Sequence, residues 1–198
     1  MPINMKNIIF MALVVYTSAL PKDTSEALQP LQLSEFINNA QKNINNLAAN
    51  IKNQLNIPDQ DTVVNTLKNQ SSTFVNNVQQ YITSVSEEVK SKTPELEKLW
   101  ADVKNKLSKV IEDINANVPN AKESAEKLQK QFQEGVETLV KESNTIAEAF
   151  KQNSGHVKEE IAGFTKKAVD IAVEATQNLN DQLKSAANQA TIAIDKKN

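Results

Sequence analysis

The chain has 198 residues: 39% hydrophobic, 5% aromatic, 22 basic and 24 acidic, with a net charge of −2. With 3 Gly, 6 Pro, no Cys and one His, it lacks the turn formers of a many-stranded sandwich or barrel, the thiols for disulfides or Cys-based metal sites, and a two-His zinc motif. All the basic residues are Lys and none is Arg, so there is neither a basic field nor a bidentate reader for nucleic acid. The composition points to an all-helical protein with little catalytic equipment.

Residues 1–19 read as a signal peptide. Lys6 supplies the positive start, residues 8–16 (IIFMALVVY) the apolar run, and Thr17-Ser18-Ala19 the small residues before a cut. The run is too short to span a bilayer, which needs about 20 apolar residues. Cleavage is expected after Ala19, with Met5 as an alternative start. Residues 20–30 read as a leader or flexible arm that processing can trim, and residues 31–198 as the folded part, secreted and without disulfides.

The remainder is a series of amphipathic stripes with apolar residues three or four apart. The first runs through Leu33, Phe36, Ala40, Ile44, Leu47, Ile51 and Leu55. Ser34 is the expected N-cap, and Ile57-Pro58 ends the segment. The second runs through Leu67, Ser71, Phe74, Val78, Ile82 and Val85. The third opens at Thr93-Pro94-Glu95, a cap followed by a proline at the first helical position. It continues through Leu96, Leu99, Trp100, Val103, Leu107 and Ile111, and Val118-Pro119 breaks it. The fourth carries Leu128, Phe132, Val136, Leu139, Ser143, Ile146 and Phe150, and Asn153-Ser154-Gly155 stops it. The fifth carries Ile161, Phe164, Ala168, Ile171, Leu179 and Leu183.

About five long helices joined by short links predict an all-α, elongated up-and-down bundle. Extra four-residue steps bring the period nearer 11 than 7, which argues against a long left-handed coiled coil. Ser71, Ser143 and many Ala dilute the faces, so the bundle is expected to be marginal.

Catalytic signals are missing. His156, beside Gly155, reads as a turn or cap residue. The acid pairs Glu87-Glu88 and Glu159-Glu160 project about 100° apart on a helix and do not converge. No nucleophile elbow, phosphate loop, dinucleotide fingerprint or calcium loop occurs. The expectation is no enzyme, no metal and no cofactor. Trp100 reads as a core anchor before a ligand contact, with an indole N–H that needs a partner if buried. Asn69-Gln70-Ser71 is a glycosylation sequon, weakened by its place in a helix. The Lys residues flanking the stripes serve solubility or snorkel at a lipid interface; the spacing does not separate the two.

Two stretches carry a resemblance. QLNIPDQDTVVNTLKNQSSTFVNNVQQYITSVSEEVKSK (residues 54–92) and the span from Val118 to Asn188, which includes VPNAKES and LVKESNTIAEAF, resemble insect apolipophorin III. The third helix matches least. The resemblance implies a lipid-free five-helix bundle that opens on lipid, with VPNAKES as a short extra helix between helices three and four. It implies an exchangeable apolipoprotein of haemolymph that covers diacylglycerol-loaded lipoprotein particles. It also implies a second role in immune recognition of bacterial lipopolysaccharide or fungal glucan.

On this reading the lipid-binding faces are Phe36, Ile44, Leu47, Ile51, Leu67, Phe74, Val78, Ile82, Leu96, Leu99, Trp100, Val103, Leu107, Leu128, Phe132, Leu139, Ile146, Phe150, Ile161, Phe164, Ile171, Leu179 and Leu183. The hinges are Pro58, Pro94, Pro119 and Gly155. The lipid-free chain is expected to be a monomer. Two alternatives stay open: a non-enzymatic helical structural or coiled-coil oligomer, and a stress-protective amphipathic protein that is disordered in water.

Overall fold

The computed structural model describes residues 30–54, 60–90, 94–122, 125–149 and 156–195, with side chains described for 35–46, 48–50, 61–90, 94–122, 125–148, 161–186 and 188. Five helices account for nearly all of it: α1 Pro30–Gln54, α2 Gln60–Val89, α3 Pro94–Asn117, α4 Ala125–Ala149 and α5 His156–Asp195. At ~1.5 Å per residue they are roughly 36 to 60 Å long, so the bundle is elongated.

The helix starts follow local chemistry. Pro94 occupies the first position of α3, where its missing N–H costs nothing, and Glu95 and Glu97 sit in the first turn beside the positive end of the dipole. Asp61 and Glu126 do the same for α2 and α4. Helix α1 begins at Pro30, four residues ahead of the expected cap. Ser34 lies inside the helix, because the proline at the helix start already meets the need for a donor-free first residue. Pro30 is thus the first residue of α1. His156 opens α5 and is not a turn residue.

Packing follows the chain in part. Helix α2 lies against α3, α3 against α4, and α4 against α5. Side-chain pairs give the directions. Tyr81 and Ser86, late in α2, meet Trp100, early in α3, while Asp61 at the start of α2 meets Lys122 beyond the end of α3. The two helices are antiparallel. Lys106 with Glu142, and Val110 with Gly135, make α3 and α4 antiparallel as well. Helix α4 also lies beside α2 and runs parallel to it, with Phe74 edge-on to Phe132 at 5.3 Å between ring centres. Among the described residues helix α1 packs on α5 and α4, with no packing on its chain neighbour α2.

The link after α3 differs from expectation. Residues 118–122 form a bend and turns, not a helix. Val118 N–H donates to the Ile114 carbonyl at 3.1 Å and Asn120 N–H to Asn117 at 3.2 Å. Pro119 disfavours helical geometry at Val118, which ends α3, and the short extra helix is not confirmed among the described residues, which stop here at 122.

Candidate functional site

The apolar faces converge on one core. Ile44, Leu67, Phe74, Val78, Ile82, Leu96, Trp100, Val103, Leu107, Leu128, Phe132, Leu139, Ile146, Ile161, Phe164, Leu179 and Leu183 are all buried. Phe36, Leu99 and Ile171 pack against this core partly exposed. The side chains of Leu47, Ile51 and Phe150 lie outside the described residues, as do Pro58 and Gly155. Of the other link residues, Pro94 and Pro119 are exposed.

Sequence reasoning missed a second column of core residues. Val140, Ala147, Ala162 and Val169 are buried although they lie off the single-file stripes. Helices α4 and α5 are touched by three or more neighbours, so a wider arc of each turns inward. The spacing of the second column, traced beside the first, is the signal that would have found it.

Close packing has one tight point. A Cβ on Gly135 would stand 2.7 Å from Val110 Cγ1 and 3.0 Å from Phe74 Cε1. Glycine here lets α4 approach α3 and α2 at once. At the other end of the core, Tyr81 and Trp100 form an edge-to-face pair at 5.8 Å, and the indole N–H donates to Ser86 Oγ at 2.8 Å. Trp100 is thus a satisfied core anchor.

Polar groups run through this core. Glu142, Ser143, Thr165, Thr176 and Asn180 are buried, and only Ser143 was legible in the stripes. Ser143 Oγ donates to Leu139 O at 2.6 Å, Thr176 to Ala172 O at 2.8 Å, and Thr165 to Ser143 O across the α4–α5 seam at 3.3 Å. Among the described residues four buried side-chain oxygens find no partner: Ser71 Oγ, Tyr81 OH, Gln131 Oε1 and Asn180 Oδ1. Ser143 stands beside the Tyr81 phenol and gives its own proton to the Leu139 carbonyl; its oxygen could still accept, but the two do not reach hydrogen-bond geometry. Burial pushes the phenol's pKa well above its usual range.

The sequon is split between surface and core. Asn69 is exposed, while Ser71 two residues on is fully buried.

Among the described residues, the space where α1, α4 and α5 meet is not ligand-sized. The crevice between Ile44, Ala48, Phe132, Val136, Thr176 and Leu179 holds about 10 Å³, room for one water, whereas small-molecule pockets run to roughly 300–1,000 Å³. The open groove along α2 is lined by Asn76, Gln79, Gln80, Thr83, Ser84 and Glu87, a solvated amide and hydroxyl face. Among the described residues no helix is long and apolar enough to cross a membrane, and no three His, Asp or Glu side chains are grouped to hold a metal ion.

The sequence profile described as "Apolipophorin-III precursor (apoLp-III)" matches residues 41–186, from within α1 to late in α5. The chain belongs to the apolipophorin III family. No curated protein and no solved structure matches it. The apolipophorin III family is one of non-enzymatic, lipid-binding apolipoproteins. The match extends through α3, where residue identity resembled the family least.

Proposed function

We propose that this chain is a secreted, exchangeable apolipoprotein that holds its apolar faces together in water and transfers them to lipoprotein surfaces. The observation that carries this reading is the burial of five apolar faces against one another around a crevice too small for an acyl chain. Contact between those faces and lipid therefore requires the helices to separate.

The energetics favour such an exchange. Each large apolar side chain gains ~1.5–3 kcal/mol on leaving water, and nearly the same gain is available against lipid. Each helix keeps its own hydrogen bonds throughout. The balance between the closed and lipid-bound states is then a small difference between large terms. Unpartnered Ser71 and Tyr81 oxygens and the absence of Cys lower the resistance to opening.

Opening proceeds about the links, with Pro58, Pro94, Pro119 and Gly155 as hinges. The faces named from the sequence, Leu47, Ile51 and Phe150 included, then lie on lipid. The cargo on this reading is diacylglycerol-loaded lipoprotein in haemolymph, reached after removal of residues 1–19. Binding of lipopolysaccharide or glucan is the second role. The lipid-free form is a monomer.

Mixing the secreted chain with phosphatidylcholine vesicles tests the reading. The expected result is loss of turbidity as discs form, with helicity retained or raised. A helical protein that leaves the vesicles turbid would sink the proposal and favour a fixed helical structural role. N-terminal sequencing of the secreted chain checks the cut after Ala19.

A further inference from the structure

We propose that the Tyr81 hydroxyl reads the acyl ester carbonyls of a glycerophospholipid surface, so that the apolar face of α2 distinguishes ester-linked lipid from lipid without carbonyls. The proposal rests on the opening mechanism above and names the chemistry that one residue of the lipid face recognises.

Among the described residues the buried hydroxyls are those of Ser71, Tyr81, Ser143, Thr165 and Thr176. Ser143 and Thr176 donate to the carbonyl one turn back in their own helix, Leu139 at 2.6 Å and Ala172 at 2.8 Å. Such bonds travel with the helix and ask nothing of its surroundings. Thr165 donates to the Ser143 carbonyl of α4 at 3.3 Å. Ser71 and Tyr81, both on α2, have no partner. Ser71 lies four residues after Leu67, whose carbonyl is within reach of a serine that rotates back. A phenol oxygen stands too far from its own helix for that. Tyr81 must take its partner from outside α2.

The neighbours of Tyr81 fix where that partner lies. Val78, one turn before it, and Val85, one turn after, are each exposed by 1% or less. No charged side chain of α2 is buried among the described residues. In the bundle the ring packs edge-on to Trp100 of α3 at 5.8 Å, and its oxygen lies beside Ser143 of α4. When α2 leaves α4 for lipid, the hydroxyl goes with its apolar neighbours.

An amphipathic helix in the interface sinks its apolar face roughly 5–10 Å, to the boundary between headgroups and acyl chains. The ester carbonyls of a glycerophospholipid stand at that boundary, which is also the level that tyrosine favours. An ester carbonyl accepts without bringing a charge or a donor of its own, and so matches a lone O–H on an uncharged face. An ether-linked lipid presents the same headgroup and the same chains without the carbonyl. Apolar neighbours such as Val78 gain equally from either lipid. The phenol alone gains a hydrogen bond from the ester, one that the closed bundle withholds.

The experiment uses the secreted chain, its Tyr81→Phe variant and its Thr176→Val variant. Each is floated with vesicles of diester phosphatidylcholine and of the diether analogue with matched chains. The ratio of the two association constants is compared between proteins, so any change in the cost of opening the bundle cancels. The expected result is a fall of about threefold or more in the ester-to-ether ratio for Tyr81→Phe, with the ratio of Thr176→Val unchanged. If Tyr81→Phe keeps the unmodified ratio, water and not the ester partners the phenol; the proposal is then wrong, while exchange onto lipid stands. A fall shared equally by Thr176→Val would also overturn it. If the unmodified chain floats with neither vesicle, the exchangeable reading falls and takes this one with it.

A second measurement needs no lipid series. In a chain without residues 1–19, Tyr81 is the sole tyrosine, and its Raman doublet reports the hydrogen bonding of the phenol. The doublet is expected to change from an unbonded phenol in the lipid-free chain to a hydrogen-bond donor on diester vesicles. An unbonded phenol in both states would overturn the proposal.

Discussion

The Glu142 carboxylate is 5% exposed, and Lys106 reaches it from the neighbouring helix at 2.8 Å. The lysine itself is 56% exposed, so its ammonium keeps most of its hydration while shielding the acid. Replacing Lys106 with Met leaves a buried charge without its partner, and the expected loss is about 1–3 kcal/mol. Glu142→Gln retains an acceptor for Lys106 and should lose less. The double change Lys106→Met with Glu142→Leu removes both the charge and the need for it, and should recover most of the loss. Thermal unfolding followed by helicity reads all three, at about 2–4 °C per kcal/mol for a chain of this size. A single lysine variant as stable as the double one would show that the pair does not hold α3 to α4.

Gly135→Ala sets two effects against each other. Alanine favours the helix over glycine by about 1 kcal/mol. The added methyl, however, would stand 2.7 Å from Val110, and overpacking a tight contact costs typically 1–3 kcal/mol. A net loss of roughly 1 kcal/mol is expected. Val110→Ala in the same chain should turn that loss into a gain relative to Val110→Ala alone. Denaturant midpoints of the four proteins form the cycle that checks it.

Tyr81 gives the fold an alkaline limit. Burial raises its pKa, with Ser143 beside it pulling the other way without overcoming that effect. The folded chain therefore holds the phenol proton more tightly than the unfolded chain, whose tyrosine ionises from about pH 10. The stability linked to this proton is fully present below that pH and is lost as pH rises above it. Tyr81→Phe removes this dependence and also deletes an unpartnered hydroxyl, so it should gain roughly 1 kcal/mol near neutrality. The two tyrosines of the sequence are Tyr16 and Tyr81, so tyrosinate absorbance of a chain without residues 1–19 reports this site alone. Ionisation at the ordinary pH in the folded protein would contradict the assignment.

Ser86→Ala should uncouple the sole tryptophan from its hydrogen-bond partner. Trp100 would remain packed on Tyr81 with its N–H unsatisfied, at a cost of about 1 kcal/mol. The fluorescence of the folded protein is expected to shift to shorter wavelength as the polar partner is lost. An unchanged spectrum would mean that the indole already lies in water.

The helices were legible because a 3.6-residue period writes itself into a chain whenever one face is buried. Phe74, Leu128 and Leu179 could be placed in the core on spacing alone. What spacing could not give was the width of each buried arc, which depends on how many neighbours a helix has. Val140 and Val169 were therefore overlooked on the helices with the most contacts. Glu142 was invisible for a different reason: a charge reads as solvated unless its partner, 36 positions away, is known to lie opposite. Residues 118–122 form a bend and turns, local geometry that the spacing of apolar residues does not contain. The pairing of α1 with α5 also depends on three-dimensional order that local periodicity does not contain.

That pairing has a consequence for how the molecule is made. Ile44 meets Thr176 and Leu179, partners that emerge from the ribosome roughly 130 residues later, about 7–26 s at ordinary synthesis rates. Helices α2, α3 and α4 can close on one another as each emerges, whereas α1 finds only its α4 contacts and leaves most of its apolar face unmatched until α5 arrives. The longest loop in the fold is thus closed last. A nascent chain stalled before α5 would carry an uncovered amphipathic helix at its leading end, and that helix is the part of the newborn protein most exposed to chaperones and membranes.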